Sequence, residues 1–181
     1  MRIVKGFTLL ELLIVIAIVA LVGGMVSIKF LRVNQATAVE DSALTLSFYL
    51  KEARSRTISG QTSGAASSWG VYIDPTLYPN PLLFADVNQD GVFSSGDTTE
   101  EIFLDENTQI SECLIGSIVV PDCGVLFLAP GGAASPFTFG GTPTAPFNSL
   151  HIEIQNISDL TILEIVSLAA PAGLVVTSVE L

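Results

Sequence analysis

The side chains with the most explicit chemistry sit in one twelve-residue stretch, Asp86-Val87-Asn88-Gln89-Asp90-Gly91-Val92-Phe93-Ser94-Ser95-Gly96-Asp97. It fits the pattern D-x-[DN]-x-[DN]-G with an acid at the twelfth position. Oxygen ligands at alternate positions suit a hard cation such as Ca2+. Asp86, Asn88 and Asp90 would supply side-chain oxygens, Val92 a backbone carbonyl and Asp97 the closing carboxylate, with Gly91 allowing the sharp turn. Against this, Asp is shorter than Glu for bidentate closure, and no helix is expected before Phe84. A bare Asx- and Gly-rich turn accounts for the same residues, so a Ca2+ loop and a metal-free turn both stand. No other cofactor is implied.

Few residues remain for other chemistry. Cys113 and Cys123 are ten apart. Outside the cytosol they suit a disulfide stapling a hairpin; the alternative is two buried thiols. With one distant histidine they fall short of the four ligands of a structural zinc site. That histidine, His151, is the only His in the chain. Any Ser-His-Asp or Cys-His catalyst would have to use it. It lies in the run Leu150-His151-Ile152-Glu153-Ile154-Gln155, whose strict alternation argues a strand with one wet face. No P-loop, H-E-x-x-H, G-x-S-x-G or dinucleotide-binding glycine set occurs. The expectation is a protein that is not an enzyme.

The elements that position these residues follow from an uneven composition. Of 181 residues, 49% are hydrophobic and 14% charged, which excludes intrinsic disorder. Seven Lys/Arg stand against 18 Asp/Glu, and none of the seven lies beyond Arg56. The 125 residues after it carry 14 acids, so no nucleic-acid partner is expected. The apolar excess is concentrated at Phe7–Ile28, 22 residues with Glu11 as the one charge. As a helix this run is roughly 33 Å long, enough for a bilayer core. It is too long for the hydrophobic region of an ordinary signal peptide and lacks its small-x-small site. A plain signal anchor leaves Glu11 unexplained, since an acid in hydrocarbon costs about 2.5–3.5 kcal/mol. Basic residues flank the run on both sides, so charge bias gives no orientation. The long tail, free of basic residues, favours its own translocation.

From Lys29 to Ser59 there is neither Pro nor Gly. Val39, Ala43, Leu46, Leu50 and Ala53 recur at spacings of four and three, which is one face of an amphipathic helix. Gly60 is the expected residue just past its end. The helix Phe7–Ser59 would span roughly 80 Å if unbroken, with Gly23-Gly24 its weakest point. Residues 61–68 read as a linker. Short strands are expected at Trp69–Asp74, Leu82–Asp86, Glu101–Leu104, Gln109–Glu112, Ser117–Val120, Val125–Leu128, Phe137–Phe139, Leu150–Gln155, Leu160–Leu168 and Leu174–Val179. The fold class is α+β: a long N-terminal helix packed on a C-terminal antiparallel sheet or sandwich.

The leader Met1-Arg2-Ile3-Val4-Lys5-Gly6, then Phe7-Thr8-Leu9-Leu10-Glu11 and a long aliphatic run, resembles the N-terminus of type IV pilins and type II secretion pseudopilins. The resemblance implies cleavage after Gly6 by a prepilin peptidase and N-methylation of Phe7. It also implies that Glu11 pairs with the N-terminal amine of a neighbouring subunit in a filament core. A buried charge needs such a partner. The implied organisation is a leader at 1–6, a transmembrane or filament-core half-helix at 7–29, an amphipathic half at 30–59 and a β-rich pilin-like domain at 60–181. Trp69-Gly70-Val71, Phe84-x-Asp86-x-Asn88 with Asp90-Gly91, Glu100/Glu101 and Phe127-x-x-Pro130-Gly131 are similar to GspH/FimT minor pseudopilins and minor pilins. That implies a subunit that starts or caps a pseudopilus or type IV pilus. Its partners would be other pilin subunits, and it would cross the inner membrane once with its domain in the periplasm. The Asp86–Asp97 loop resembles those of EF-hands and dockerins. A calcium-dependent binding module on a membrane anchor is the rival reading, and a minor pilin used in DNA uptake is disfavoured by the acidic domain.

Overall fold

A computed structural model of the chain describes residues 9–61, 63, 68–137, 149–169 and 174–180, with backbone alone at 24–31, 136 and 174–180. The described residues form a helix followed by antiparallel strands. The helix, α1, runs Leu9–Ile58 and continues through Gly23-Gly24. The chain divides into two compact units, Met1–Gln35 and Ala36–Leu181.

In the first unit every described residue from Leu9 to Gly23 is exposed. This is a helix apolar on all sides apart from Glu11, the pattern of a segment covered by lipid or by other helices. Among the described residues no helix is long and apolar enough to cross a membrane. The run Phe7–Ile28 extends at both ends beyond the described side chains.

The second unit is built around the rest of α1. Val39, Ala43, Leu46, Leu50 and Ala53, the face set by the four-and-three spacing, are all buried. They pack with the inner faces of two five-stranded sheets. One sheet has the order β3-β2-β1-β6-β7 and comprises β1 (Trp69–Ile73), β2 (Leu82–Ala85), β3 (Thr98–Glu101), β6 (Cys123–Leu128) and β7 (Ala133–Phe137). The other has the order β10-β9-β8-β4-β5, with β4 (Thr108–Ile115), β5 (Ile118–Val120), β8 (Ser149–Asn156), β9 (Leu163–Ala169) and β10 (Leu174–Glu180).

Helix and sheets are also joined by polar contacts. Ser42 Oγ lies 2.8 Å from Thr108 Oγ1 and accepts the Asp105 amide. Thr57 Oγ1 accepts the Trp69 amide where β1 begins. The helix ends as Gly60 predicts. Gly60 has φ 68°, its amide bonds Thr57 O, and the Gln61 amide reaches back to Arg56 O, the paired bonds of a Schellman cap.

The first sheet is covered on both faces. Val71, Leu83, Val125 and Phe127 face the main core, while Tyr72, Phe84, Leu126 and Phe137 form a second, aromatic one. Gly70 and Gly124 make room for it. A Cβ on Gly70 would strike the Phe84 ring and the Val125 carbonyl, and one on Gly124 the Phe137 ring.

Several sequence boundaries shift. The strand expected at Glu101–Leu104 is Thr98–Glu101, because pairing with β2 sets Leu82 opposite Glu101 and ends there. Ile102 is still buried, just past the strand. The strand expected from Leu160 starts at Leu163, after a turn in which Asp159 Oδ1 accepts from Thr161. The strand expected at Phe137–Phe139 is Ala133–Phe137, and residues 138 and 139 lie outside the described set. Part of the linker at 61–68 also lies outside it.

Cys113 and Cys123 are bonded, with Cα atoms 6.2 Å apart. They do not staple a hairpin. Cys113 is on β4 and Cys123 on β6, so the bond ties one sheet to the other. A separation of ten corresponds to roughly 2.7 kcal/mol in the chain-entropy model. Replacing both cysteines by serine is expected to cost about that much in urea denaturation, and the unreduced chain unfolded in urea should take up no alkylating label. Uptake of two labels would contradict the bond.

Glu164 is the anomaly of the main core. It shares the inner face of β9 with Val166 and Leu168 and is 3% exposed. Burial, and then the charge of Glu40 on α1, raise its carboxyl above the ordinary value. A raised folded-state value means that the folded chain holds the proton more tightly than the unfolded one. Stability is therefore kept at acidic pH and lost as pH rises through the folded value. Glu164→Gln should raise Tm at pH 7, by an amount equivalent to about 1 kcal/mol, and change little at pH 4. Equal effects at both pH values would refute the assignment.

Candidate functional site

Two groups of residues carry the chemistry singled out by the sequence, one in each unit. In the first unit, Gly6 and Phe7 lie outside the described residues. Glu11 is exposed in the first turn of α1, where the helix dipole favours a carboxylate.

In the second unit, Asp86 through Asp97 form the connection from β2 to β3. The loop is closed by its own carboxylates. Asp86 follows β2 directly and is 3% exposed. Its Oδ2 accepts the Gly91 amide at 3.1 Å. Its Oδ1 is buried and has no hydrogen-bond partner. Asn88 Oδ1 accepts the Asp90 amide and Asp90 Oδ1 accepts the Val92 amide, two successive Asx turns. Asn88 Nδ2 donates to Asp90 Oδ2 at 2.7 Å. The backbone turns through Gln89 at φ 59° and Gly91 at φ 84°. The first value is uncommon for a residue with a side chain, and the second is one that glycine adopts freely.

Asp97 acts as a clamp. Its Oδ1 accepts the Val87 amide at 3.0 Å, and its Oδ2 accepts the Ser94 amide at 2.8 Å. Both ends of the loop thus converge on one carboxylate. Burial raises the Asp86 carboxyl; the backbone bonds from Gly91 and Gln89 oppose this, and the charges of Asp90 and Asp97 add to it. Among the described residues no three His, Cys, Asp or Glu side chains are gathered so as to hold a metal ion. Asn88 and the Val92 carbonyl belong to a different donor class.

The middle of the loop is anchored by Phe93. Its ring stacks on Tyr72 at 4.5 Å between centroids and meets Phe84 edge-on at 5.5 Å. The sequence signal for this is an aromatic inside a polar loop, matched by aromatics on the strands it covers. Tyr72 lies 3.4 Å from both Asp74 and Asp122 carboxylates. Burial, then the two negative charges, hold its hydroxyl far above the ordinary phenol range, so it stays protonated as a donor.

His151 sits on the outer face of β8. Its ring nitrogens are each 2.8 Å from a serine hydroxyl, Nδ1 from Ser167 and Nε2 from Ser149.

Comparison with known proteins bears on the first unit. Residues 1–27 match the prokaryotic N-terminal methylation motif. The matched segment contains Gly6, Phe7 and Glu11 and supports the type IV pilin and pseudopilin class, whose members are processed by a prepilin peptidase and assemble with other pilin subunits. Neither a curated protein nor a solved structure matches the chain.

The clamp on the loop gives a test that needs no ligand. Asp97→Ala leaves the Val87 and Ser94 amides without their acceptor and should lower stability by about 1–2 kcal/mol in chelator-treated buffer. An unchanged urea midpoint would show that the loop closes without it.

Proposed function

We propose that the chain is a minor pseudopilin or minor pilin of GspH/FimT type. It is cleaved after Gly6, methylated at Phe7 and incorporated through α1 into a type II secretion pseudopilus or a type IV pilus, whose assembly it starts or caps. The observation that carries this reading is the methylation motif at residues 1–27. The downstream helix supports it. An exposed aliphatic surface on every side of residues 9–23 is unstable in water and needs lipid or other such helices around it. In that setting Glu11 is the only charge, and the new amine at Phe7, about one turn away on a neighbouring helix, neutralises it.

Before assembly the same helix holds the protein in the inner membrane, with residues 36–181 on the periplasmic side. A disulfide between Cys113 and Cys123 accords with an oxidising compartment. The second unit serves as the filament's outward-facing body. It contains no proposed catalytic residue. His151 is held between two serine hydroxyls on a sheet face, which accounts for it structurally.

The test is the mature N-terminus. In cells with a working prepilin peptidase, mass spectrometry of the membrane-extracted protein should find residues 1–6 removed and one methyl group on Phe7. A retained Met1–Gly6 refutes the proposal. Glu11→Ala should be processed normally yet drop out of sheared filaments, whereas undiminished incorporation would remove Glu11 from assembly.

A further inference from the structure

The Asp86–Asp97 loop contains a feature that its own hydrogen bonds do not explain. Asp86 Oδ1 is buried and unpartnered, on a side chain that is 3% exposed. A sealed carboxylate oxygen without a donor is costly, and native structures rarely leave one so. The sister oxygen is bonded to Gly91 inside the loop. The charges of Asp90 and Asp97 act on the same carboxyl, so the loop's other acids lie near it. In sequence the loop offers oxygen donors of the hard kind. Asn88 and Asp90 are exposed. No Lys or Arg follows Arg56 in the sequence, so no basic side chain of the loop or its flanking strands can fill the place.

We infer that this loop is a Ca2+ site in which Asp86 Oδ1 is the buried anchor ligand. Asn88, Asp90 and the Val92 carbonyl complete the protein donors, with Asp97 at the twelfth position. The Asx turns leave this donor set available, since each carboxylate or amide oxygen that accepts one amide keeps a second lone pair. Asp97, with both oxygens on loop amides, acts chiefly by holding the loop shut and adding charge. Mg2+ is a poorer occupant, because it demands near-ideal octahedral geometry and gives up water reluctantly. The site lies wholly in the second unit and is independent of the assignment to a filament.

The test uses the full chain in detergent, stripped with EGTA and titrated with CaCl2 or MgCl2. An affinity in the range of extracellular calcium modules should raise Tm by about 3 °C at roughly 5 mM Ca2+. Calorimetry should give one strong site, and Mg2+ should shift Tm much less. Asp86→Asn keeps the shape of the side chain and should abolish the calcium-dependent rise. Asp90→Asn, at an exposed position that keeps its acceptor for Val92, should weaken it and guards against a folding defect in the first variant. A flat wild-type titration overturns the inference. So does an equal response to Mg2+, or a rise that persists in both variants, which would mark diffuse binding to an acidic surface.

Discussion

The contact between one face of α1 and the inner faces of both sheets holds the second unit together. Val39, Ala43, Leu46, Leu50 and Ala53 are all aliphatic and buried. Each sheet offers aliphatic residues to them at every second position, such as Leu150, Ile152 and Ile154 on β8. Burying a residue of this kind is worth about 1.5–3 kcal/mol relative to exposure. Losing the face would release both sheets together. The same helix has no such division upstream. Between Leu9 and Val22 there is no polar face to present to water, so one continuous element meets two different surroundings. The change of pattern, more than any break in the backbone, separates the two units. Gly23-Gly24, the weakest helical residues by propensity, do not interrupt α1.

The parts of this fold that were legible in the sequence are those governed by local repetition. The four-and-three spacing located the buried face of α1, Gly60 located its end, and the alternation from Leu150 to Gln155 located β8. Each depends only on residues within a turn or a strand. The illegible parts depend on pairing partners far along the chain. Cys113 and Cys123 looked like a hairpin staple because β4 and β5 do form a hairpin there. Yet the second cysteine lies beyond that hairpin, at the start of a strand in the opposite sheet. Likewise Glu164 falls in an ordinary alternating run, and only the packing of β9 reveals that its acid is on the inner side.

The candidate loop divides in the same way. Its donor spacing could be read directly, because the pattern is local. The roles within it could not. Asp97 was expected as a closing ligand, and its two oxygens are found on the Val87 and Ser94 amides. Phe93 had no assigned role, although its ring against Tyr72 and Phe84 fixes the loop to the outer face of the first sheet. Aromatic contacts of this sort add about 0.5–1.5 kcal/mol beyond area burial. They give the loop an aromatic floor, while Asn88, Gln89 and Asp90 at its tip stay exposed.

A chain with 18 acids and seven bases must also stabilise its carboxylates without many cations. Arg56 is already committed to Glu52, Glu100 and the face of Trp69, and Arg54 to the Gly132 carbonyl. Backbone amides take that role instead. Asp74 takes the amides of Thr76 and Leu77, Asp105 that of Asn107, Asp159 that of Thr161, and Asp97 those of Val87 and Ser94. At Asp74 burial acts to raise the carboxyl, and the bonds from Thr76, Leu77 and Tyr72 more than offset it, so it is held below its ordinary value. The same solution is incomplete at Asp86, which has the Gly91 and Gln89 amides while its buried Oδ1 is left without a partner. Backbone turns can supply only as many amides as the loop has residues facing inward. With the amides facing Asp86 used, its Oδ1 is left without a hydrogen-bond partner. At the inferred Ca2+ site, the cation would supply the charge that the sequence withholds.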